Sequence, residues 1–139
     1  MLLDSIAKSL EKALSVDLIQ KIGGISVHSI NKSASKAAAL YYNQNERASN
    51  IKIGGNEALS YEFFSVNLLL RLGKDGNEAD SLAHLVYKGL FFAEFDDLLV
   101  ILPNNRPVWL GADKFGVHEY SIDIEIYTHK EDLNNGLSS

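Results

Sequence analysis

The sequence predicts an α+β fold, a mixed or mostly antiparallel sheet with two helices packed on one of its faces. Residues 61–72 and 117–128 alternate apolar side chains with a more polar set, as strands with one buried face do. Residues near 2–20 and 77–92 instead repeat apolar side chains at steps of three and four, the pattern of amphipathic helices. Both kinds of element can therefore share one core.

Length and composition are those of one globular domain. The chain has 139 residues, of which 46% are hydrophobic and 22% charged, enough to bury a single core. We expect one domain over residues 1–130 and a polar C-terminal tail over 131–139. The longest apolar runs are far shorter than the roughly 20 residues of a membrane span, and the N-terminus lacks a signal-peptide pattern. No membrane partner is expected.

Charge and cysteine content exclude several classes of protein. The absence of cysteine excludes disulfides and thiolate metal sites, and it is consistent with a reducing cytoplasm. Thirteen basic residues stand against 18 acidic ones, giving a net charge of −5 without a basic stripe. A general nucleic-acid binder normally has a basic excess. We therefore expect DNA to pass beside this protein without being gripped.

The N-terminal third predicts a helix, two short strands and a long loop. The opening helix is expected to continue through Leu18 and Ile22 until two glycines end it at 23–24. Strands are predicted at 25–30 and 37–43. Residues 44–56 are polar and rich in Asn and Gly, so they form either a long loop or a loosely held hairpin arm. We expect this segment to be mobile in a free subunit and ordered at a subunit or tube contact.

The second half supplies the remaining strands and a face without a helix. Residues 98–102 predict a buried strand that Pro103 ends, and 107–111 predict a further strand. If the helices cover one sheet face, the other face is free for solvent or another subunit. Its polar members would be Asn67, Arg71, Asp123 and Glu125.

The strand, glycine turn and helix at 66–90 have the outline of a phosphate-binding site, but the chemistry is wrong. Asp75 follows Gly73 and Lys74 where a phosphate-binding loop requires Ser or Thr. Carboxylates at the helix start would occupy the place of a phosphate, and Asn77 is the expected N-cap. The corner therefore predicts a self-capped helix and no nucleotide pocket.

No other pattern predicts catalysis. The four histidines, at 28, 84, 118 and 129, show no short metal-ligand spacing, and no serine lies in a nucleophile elbow. The carboxylates of "EFDD" at 94–97 follow a helix and predict a solvated turn. We expect no catalytic residue, metal or cofactor, and hence no enzyme.

Two stretches resemble a known family. "FFSVNLLLRLGKDGNEADSLAHLVYKGL" followed by "PVWLGADKFGVHEYSIDIEIYTHK" is similar to the minor capsid and tail terminator proteins of long-tailed, siphovirus-like bacteriophages. The similarity covers roughly residues 60–130, with weaker support from the N-terminal helix and "AALYYNQ". The resemblance depends on the order of these motifs along the chain, because no single motif is diagnostic of the family. Ala112 departs from it, because a larger and often basic residue is expected there.

The resemblance implies a structural virion protein with a tail-terminator-like α+β fold. Such proteins are made in the host cytoplasm and form a ring, usually a hexamer, at the head-proximal end of the tail. The implied partners are other copies of the chain, the tail tube protein, the head-completion or connector proteins, and DNA that passes through without specific binding. The alternatives are another neck or head-completion protein and a small cytoplasmic binding or regulatory domain. Candidate subunit or tube contacts are Arg47, Arg71, Asp123 and Glu125.

Overall fold

A computed structural model describes residues 3–43, 49–52, 60–95 and 98–129 of the chain. Within these residues the helices are α1 Leu3–Ala13, α2 Val16–Ile22 and α3 Gly76–Phe91. The strands are β1 Ile25–Val27, β2 Lys36–Tyr42, β3 Ser49–Lys52, β4 Ser60–Leu72, β5 Leu98–Ile101, β6 Val108–Ala112 and β7 His118–His129. None of the described helices is long and apolar enough to cross a membrane.

The strands form one mixed sheet around the long antiparallel pair of β4 and β7. Its order is β1-β2-β4-β7-β5, with β3 added to β4 and β6 added to β7. The pair of β1 and β2 is parallel, and the other described pairs are antiparallel. The predicted α+β class with a mixed sheet is confirmed, and β4 and β7 confirm the two strands predicted from alternation.

The core lies between the helices and one face of this sheet. Every second residue of β4 and β7 is buried there: Phe64, Val66, Leu68, Leu70, Leu72, Tyr120, Ile122, Ile124 and Ile126. They form one cluster with apolar residues of α1, α2 and α3. Burying a Leu or Ile side chain stabilises a fold by about 1.5–3 kcal/mol, so this face dominates stability.

The N-terminal helix is interrupted, which corrects the prediction of two helices to three among the described residues. Ser15 is extended and its side chain accepts a hydrogen bond from the Leu18 amide at 3.2 Å, which makes it the N-cap of α2. Gly23 ends α2 in the left-handed conformation. Leu14 and Leu18 remain buried on either side of the break. The apolar spacing therefore continues although the helix does not.

Three further expectations are corrected. β1 ends at Val27 because His28 adopts a φ of 65°. The N-cap of α3 is Asp75, not Asn77, and it accepts hydrogen bonds from the amides of Asn77 and Glu78. β5 is an edge strand, not a buried one, because 59% of Leu99 is exposed and the strand pairs only with β7 within the described chain. The predictions of β2 and β6 are confirmed.

Part of the 44–56 segment is a hairpin arm. Ser49–Lys52 pair antiparallel with Ser60–Phe63 of β4, which agrees with the hairpin alternative for these four residues. The rest of that segment, including Arg47, lies outside the described residues, as do the tail at 131–139 and positions 96–97 of "EFDD".

Candidate functional site

The register of β4 against β7 places the polar side chains of both strands on the sheet face opposite the helices. Arg71 pairs with Glu119 and Asn67 pairs with Asp123, while Glu125 lies two residues further along β7. Paired residues of neighbouring strands project from the same face. The predicted contacts Arg71, Asp123 and Glu125 thus share one face, which we call the polar face.

Arg71 is nevertheless buried within the subunit. Only 3% of its surface is exposed. Its Nη1 donates to Asp113 Oδ2 at 2.9 Å and to Glu119 Oε2 at 3.1 Å. Nε donates to the carbonyl of Ala34 at 3.3 Å, and Nη2 to that of Lys32 at 3.2 Å. The expectation that Arg71 lies on a free surface is wrong, because its guanidinium is surrounded by partners from its own chain.

These contacts stabilise the charged forms of the Arg71 guanidinium and the Asp113 carboxylate. Burial lowers the pKa of Arg71, but its hydrogen bonds to Asp113 and Glu119 more than offset this, and the pKa is raised overall. The pKa of Asp113 lies below its usual range because the amide of Val117, and then Arg71 and the amide of Phe115, donate to its carboxylate. The ion pair therefore joins β4 to the 113–117 turn between β6 and β7.

The 28–35 segment covers the end of the polar face next to Arg71. A small apolar cluster forms there, made of Ile30, Ala34, Ala37, Ala39, Tyr41 and Leu69. Since Arg71 also binds two carbonyls of this segment, the segment is held both by apolar packing and by charge. The alternation of β4 and β7 could not predict that the 28–35 segment covers this end of the polar face, because the apolar residues of that segment do not repeat at a regular spacing.

Asp123 is also engaged inside the subunit. Its Oδ1 accepts a hydrogen bond from Asn67 Nδ2 at 2.9 Å, and its Oδ2 accepts one from Asn104 Nδ2 at 3.1 Å. Tyr87 on α3 donates to the Asn104 carbonyl at 2.6 Å. Asp123 therefore holds the loop between β5 and β6 to the edge of the sheet. Glu125, the remaining predicted contact in the described chain, is a half-buried carboxylate like Asp123.

Two apolar surfaces are exposed at the sheet edge formed by β5 and β6. On β6, Val108, Trp109 and Leu110 are consecutive and all exposed, with 58% of Trp109 and 55% of Leu110 accessible. We call these three residues the β6 edge. Trp109 Nε1 donates to His118 Nδ1 at 3.2 Å, which fixes the indole. Within the described chain β6 pairs with β7 on one side, and its outer side has no strand neighbour.

The second apolar surface lies on the polar face near β5. The rings of Phe63 and Tyr127 are 5.0 Å apart across β4 and β7. Leu99 pairs with Tyr127, and Ile101 pairs with Glu125. Glu125 is thus bordered by exposed apolar side chains. Sequence reasoning missed both surfaces, although the unbroken apolar run "PVWL" was a signal for the first.

Another sheet edge is already capped by the chain itself. The amide of Ile25 on β1 donates to Glu11 Oε2 on α1 at 3.1 Å. A side chain that satisfies an edge amide discourages pairing with another strand. The contrast with the outer side of β6 makes the β6 edge the better candidate for assembly.

The strand, turn and helix corner agrees with a self-capped helix. The Asp75 side chain accepts hydrogen bonds from the amides of Asn77 and Glu78, which a bound phosphate would need as donors. Glu78 in turn forms an ion pair with Lys36 on β2. Elsewhere in the described residues, no group of three or more His, Cys, Asp or Glu side chains could hold a metal ion.

No protein-family model matches the sequence, and a search of curated proteins finds no match.

Proposed function

We propose that this protein is a structural virion protein of a long-tailed bacteriophage, a tail terminator. In this role, copies of the chain form a ring that caps the tail tube at its head-proximal end and joins it to the head-completion proteins. The proposal rests on the resemblance of residues 60–130 to that family and on one structural observation, the exposed β6 edge. The exposed surface beside Glu125 offers a further contact.

The β6 edge has the properties of an assembly surface. It combines three consecutive exposed apolar residues, of which Val108 and Trp109 project from opposite faces of the sheet, with a strand whose outer side has no strand neighbour in the described chain. Exposed edges of this kind invite pairing with another chain. Removing apolar surface from water contributes about 25 cal/mol per Å², and Trp is enriched among the residues that dominate interface energies.

A closed ring requires a second, different surface on each subunit. Head-to-tail contacts close when the rotation between neighbours permits. Phe91 and Phe92 at the end of α3 are exposed and pack edge to face, with ring centroids 5.0 Å apart. They are our candidates for the opposing side of the contact. The net charge of −5 suits a channel that DNA crosses without adhering to its wall.

Electron microscopy of tails from phage lacking this gene tests the role. Loss of a tail terminator should give over-long tails without heads. Tails of normal length without heads would identify another neck component and contradict the terminator assignment. Normal infectious virions would contradict a structural role altogether and leave a cytoplasmic binding or regulatory domain.

Variants of the β6 edge test the surface. We expect Leu110→Ser to give over-long tails on complementation, with Val16→Ser as a matched control, because Val16 is an exposed apolar residue on α2. Circular dichroism establishes that both variants fold. Normal tails with Leu110→Ser would exclude the β6 edge as the contact.

A further inference from the structure

A cleft of about 480 Å³ lies between residues 32–35 of the 28–35 segment and the 113–117 turn. Its wall contains three cationic side chains, two hydroxyls and an aromatic ring, from Lys32, Arg71, Lys74, Ser33, Ser35 and Phe115. None of the described residues that line it carries a carboxylate. In a chain with a net charge of −5, this is a local concentration of positive charge.

The charges in this cleft are not equivalent. Arg71 is neutralised by Asp113 and Glu119, and it holds the carbonyls of Lys32 and Ala34 in place. Arg71 therefore forms a part of the cleft wall that is held in place and whose charge is compensated by its own partners. The exposed side chains of Lys32 and Lys74 form no ion pair with a residue that the structure describes. These two lysines supply the charge available to a ligand.

The aromatic wall is presented by a well-ordered turn. Asp113 Oδ1 accepts hydrogen bonds from the amides of Phe115 at 2.9 Å and Val117 at 3.0 Å. The ring of Phe115 is 62% exposed, and Lys114 Nζ lies 5.1 Å from its centroid. The backbone of the turn is thus held in place, and its exposed ring beside a cation is a surface on which a planar base can stack.

We propose that this cleft binds a nucleotide unit, with its phosphate between Lys32 and Lys74 and its base on Phe115. Lysine ammonium groups and serine hydroxyls donate to phosphate oxygens, and aromatic stacking adds affinity without sequence preference. The volume lies within the usual range for small-ligand sites. The site is separate from the amides at the start of α3, which Asp75 occupies. The proposal does not depend on the tail-terminator assignment.

The test is fluorescence anisotropy of a labelled single-stranded oligodeoxynucleotide with the full chain at low salt. We expect saturable binding that weakens as salt rises, because phosphate contacts release counterions. Lys32→Glu and Lys74→Glu should each weaken binding at least tenfold. Phe115→Ala should weaken it by between about fivefold and 150-fold, the effect of losing one stacked base.

Matched control variants distinguish binding in the cleft from a general effect of surface charge. Lys8→Glu on α1 changes the charge equally at an exposed lysine, and Phe92→Ala removes an exposed phenylalanine ring outside the cleft. Both should bind as the wild type does. The absence of saturable binding, or an equal loss in Lys8→Glu and Lys74→Glu, would overturn the proposal.

Competition identifies the source of the nucleotide. Displacement of the oligonucleotide by adenosine monophosphate would support a free nucleotide, and resistance to displacement would support a strand. Inorganic phosphate that competes as well as adenosine monophosphate would overturn the proposal, because the base would then contribute nothing. Neither result depends on tail length, so failure of this proposal and failure of the proposed function remain distinguishable.

Discussion

Arg71 Nη1 on β4 lies 2.9 Å from Asp113 Oδ2 in the turn between β6 and β7. The same nitrogen lies 3.1 Å from Glu119 Oε2 on β7. One buried side chain therefore joins four parts of the molecule: the strand β4, the β6–β7 turn, the strand β7 and, through two carbonyls, the 28–35 segment.

Replacing this arginine should destabilise the fold. We expect Arg71→Ala to lower the free energy of unfolding by about 3 kcal/mol, the lower end for breaking a buried pair. The lower end applies because the two carboxylates retain some access to water, with 21% and 27% of their side chains exposed. Urea unfolding measures the change, and Arg106→Ala, at an exposed arginine, should stay within about 0.5 kcal/mol of wild type. Equal effects of the two variants would contradict a structural role for Arg71.

Stability should fall in acid because of Asp113. The pKa of this carboxyl is lower in the folded chain than its usual value, owing to the Val117 amide, Arg71 and the Phe115 amide. The contribution of Asp113 to the free energy of unfolding is therefore fully present above the unfolded pKa of about 3.9. It is lost as pH falls through the lower pKa of the folded chain. Asp113→Asn lacks this contribution, so its deficit in unfolding free energy should be largest near neutral pH and shrink below about pH 4. Urea titrations across this range measure it. A deficit that does not change with pH would contradict the argument.

Two neighbouring glycines should respond differently to the same substitution. Gly23 and Gly24 have φ of 81° and 75°, which costs an alanine about 1–2 kcal/mol at either site. A Cβ on Gly23 would also lie 2.8 Å from the carbonyl oxygen of Lys36, whereas one on Gly24 would find its nearest atom, in Glu11, at 3.6 Å. We therefore expect a clearly larger loss of unfolding free energy for Gly23→Ala than for Gly24→Ala. Thermal and urea unfolding compare them, and equal losses would show that the Lys36 carbonyl moves aside.

The sequence predicted the elements whose periodicity is regular. Alternation located β4 and β7, and helical spacing located α3 to within one residue at each end. It did not locate the break before Ser15, because Leu14 and Leu18 keep a four-residue step across it and both stay buried. Apolar content could not distinguish the exposed edge strand β5 from a buried strand, since exposure depends on whether a neighbour is present.

The sites were harder to predict because their parts are distant in the chain. Arg71 and Asp113 are 42 residues apart, and Lys32 is 39 residues from Arg71. Nothing local to "LLLRLG" indicates that this arginine is buried and paired. The basic cleft likewise draws Lys32 and Lys74 from separate segments, so no basic stripe is visible in the sequence.

Asp123 and Glu125 are both half-buried on the polar face, but Asp123 is held there by hydrogen bonds from Asn67 and Asn104. Reversing the charge of Asp123 as well would disturb hydrogen bonds from Asn67 and Asn104, so the single variant Glu125→Lys is the cleaner test. As a surface change, it should alter the unfolding free energy by less than about 0.5 kcal/mol.

Within the proposed tail role, Glu125→Lys should still weaken assembly. The carboxylate is flanked by Ile101 on β5, so a subunit that covers this apolar border also meets the charge. An exposed ion pair contributes only about 0.2–1 kcal/mol, and we therefore expect an effect on partner choice more than on strength. Tail lengths measured by electron microscopy should broaden in Glu125→Lys, while the exposed control Asp17→Lys on α2, a helix with no residue in the proposed contacts, should leave them unchanged. Normal tails in both variants would show that Glu125 faces solvent in the ring, even if the β6 edge forms the contact.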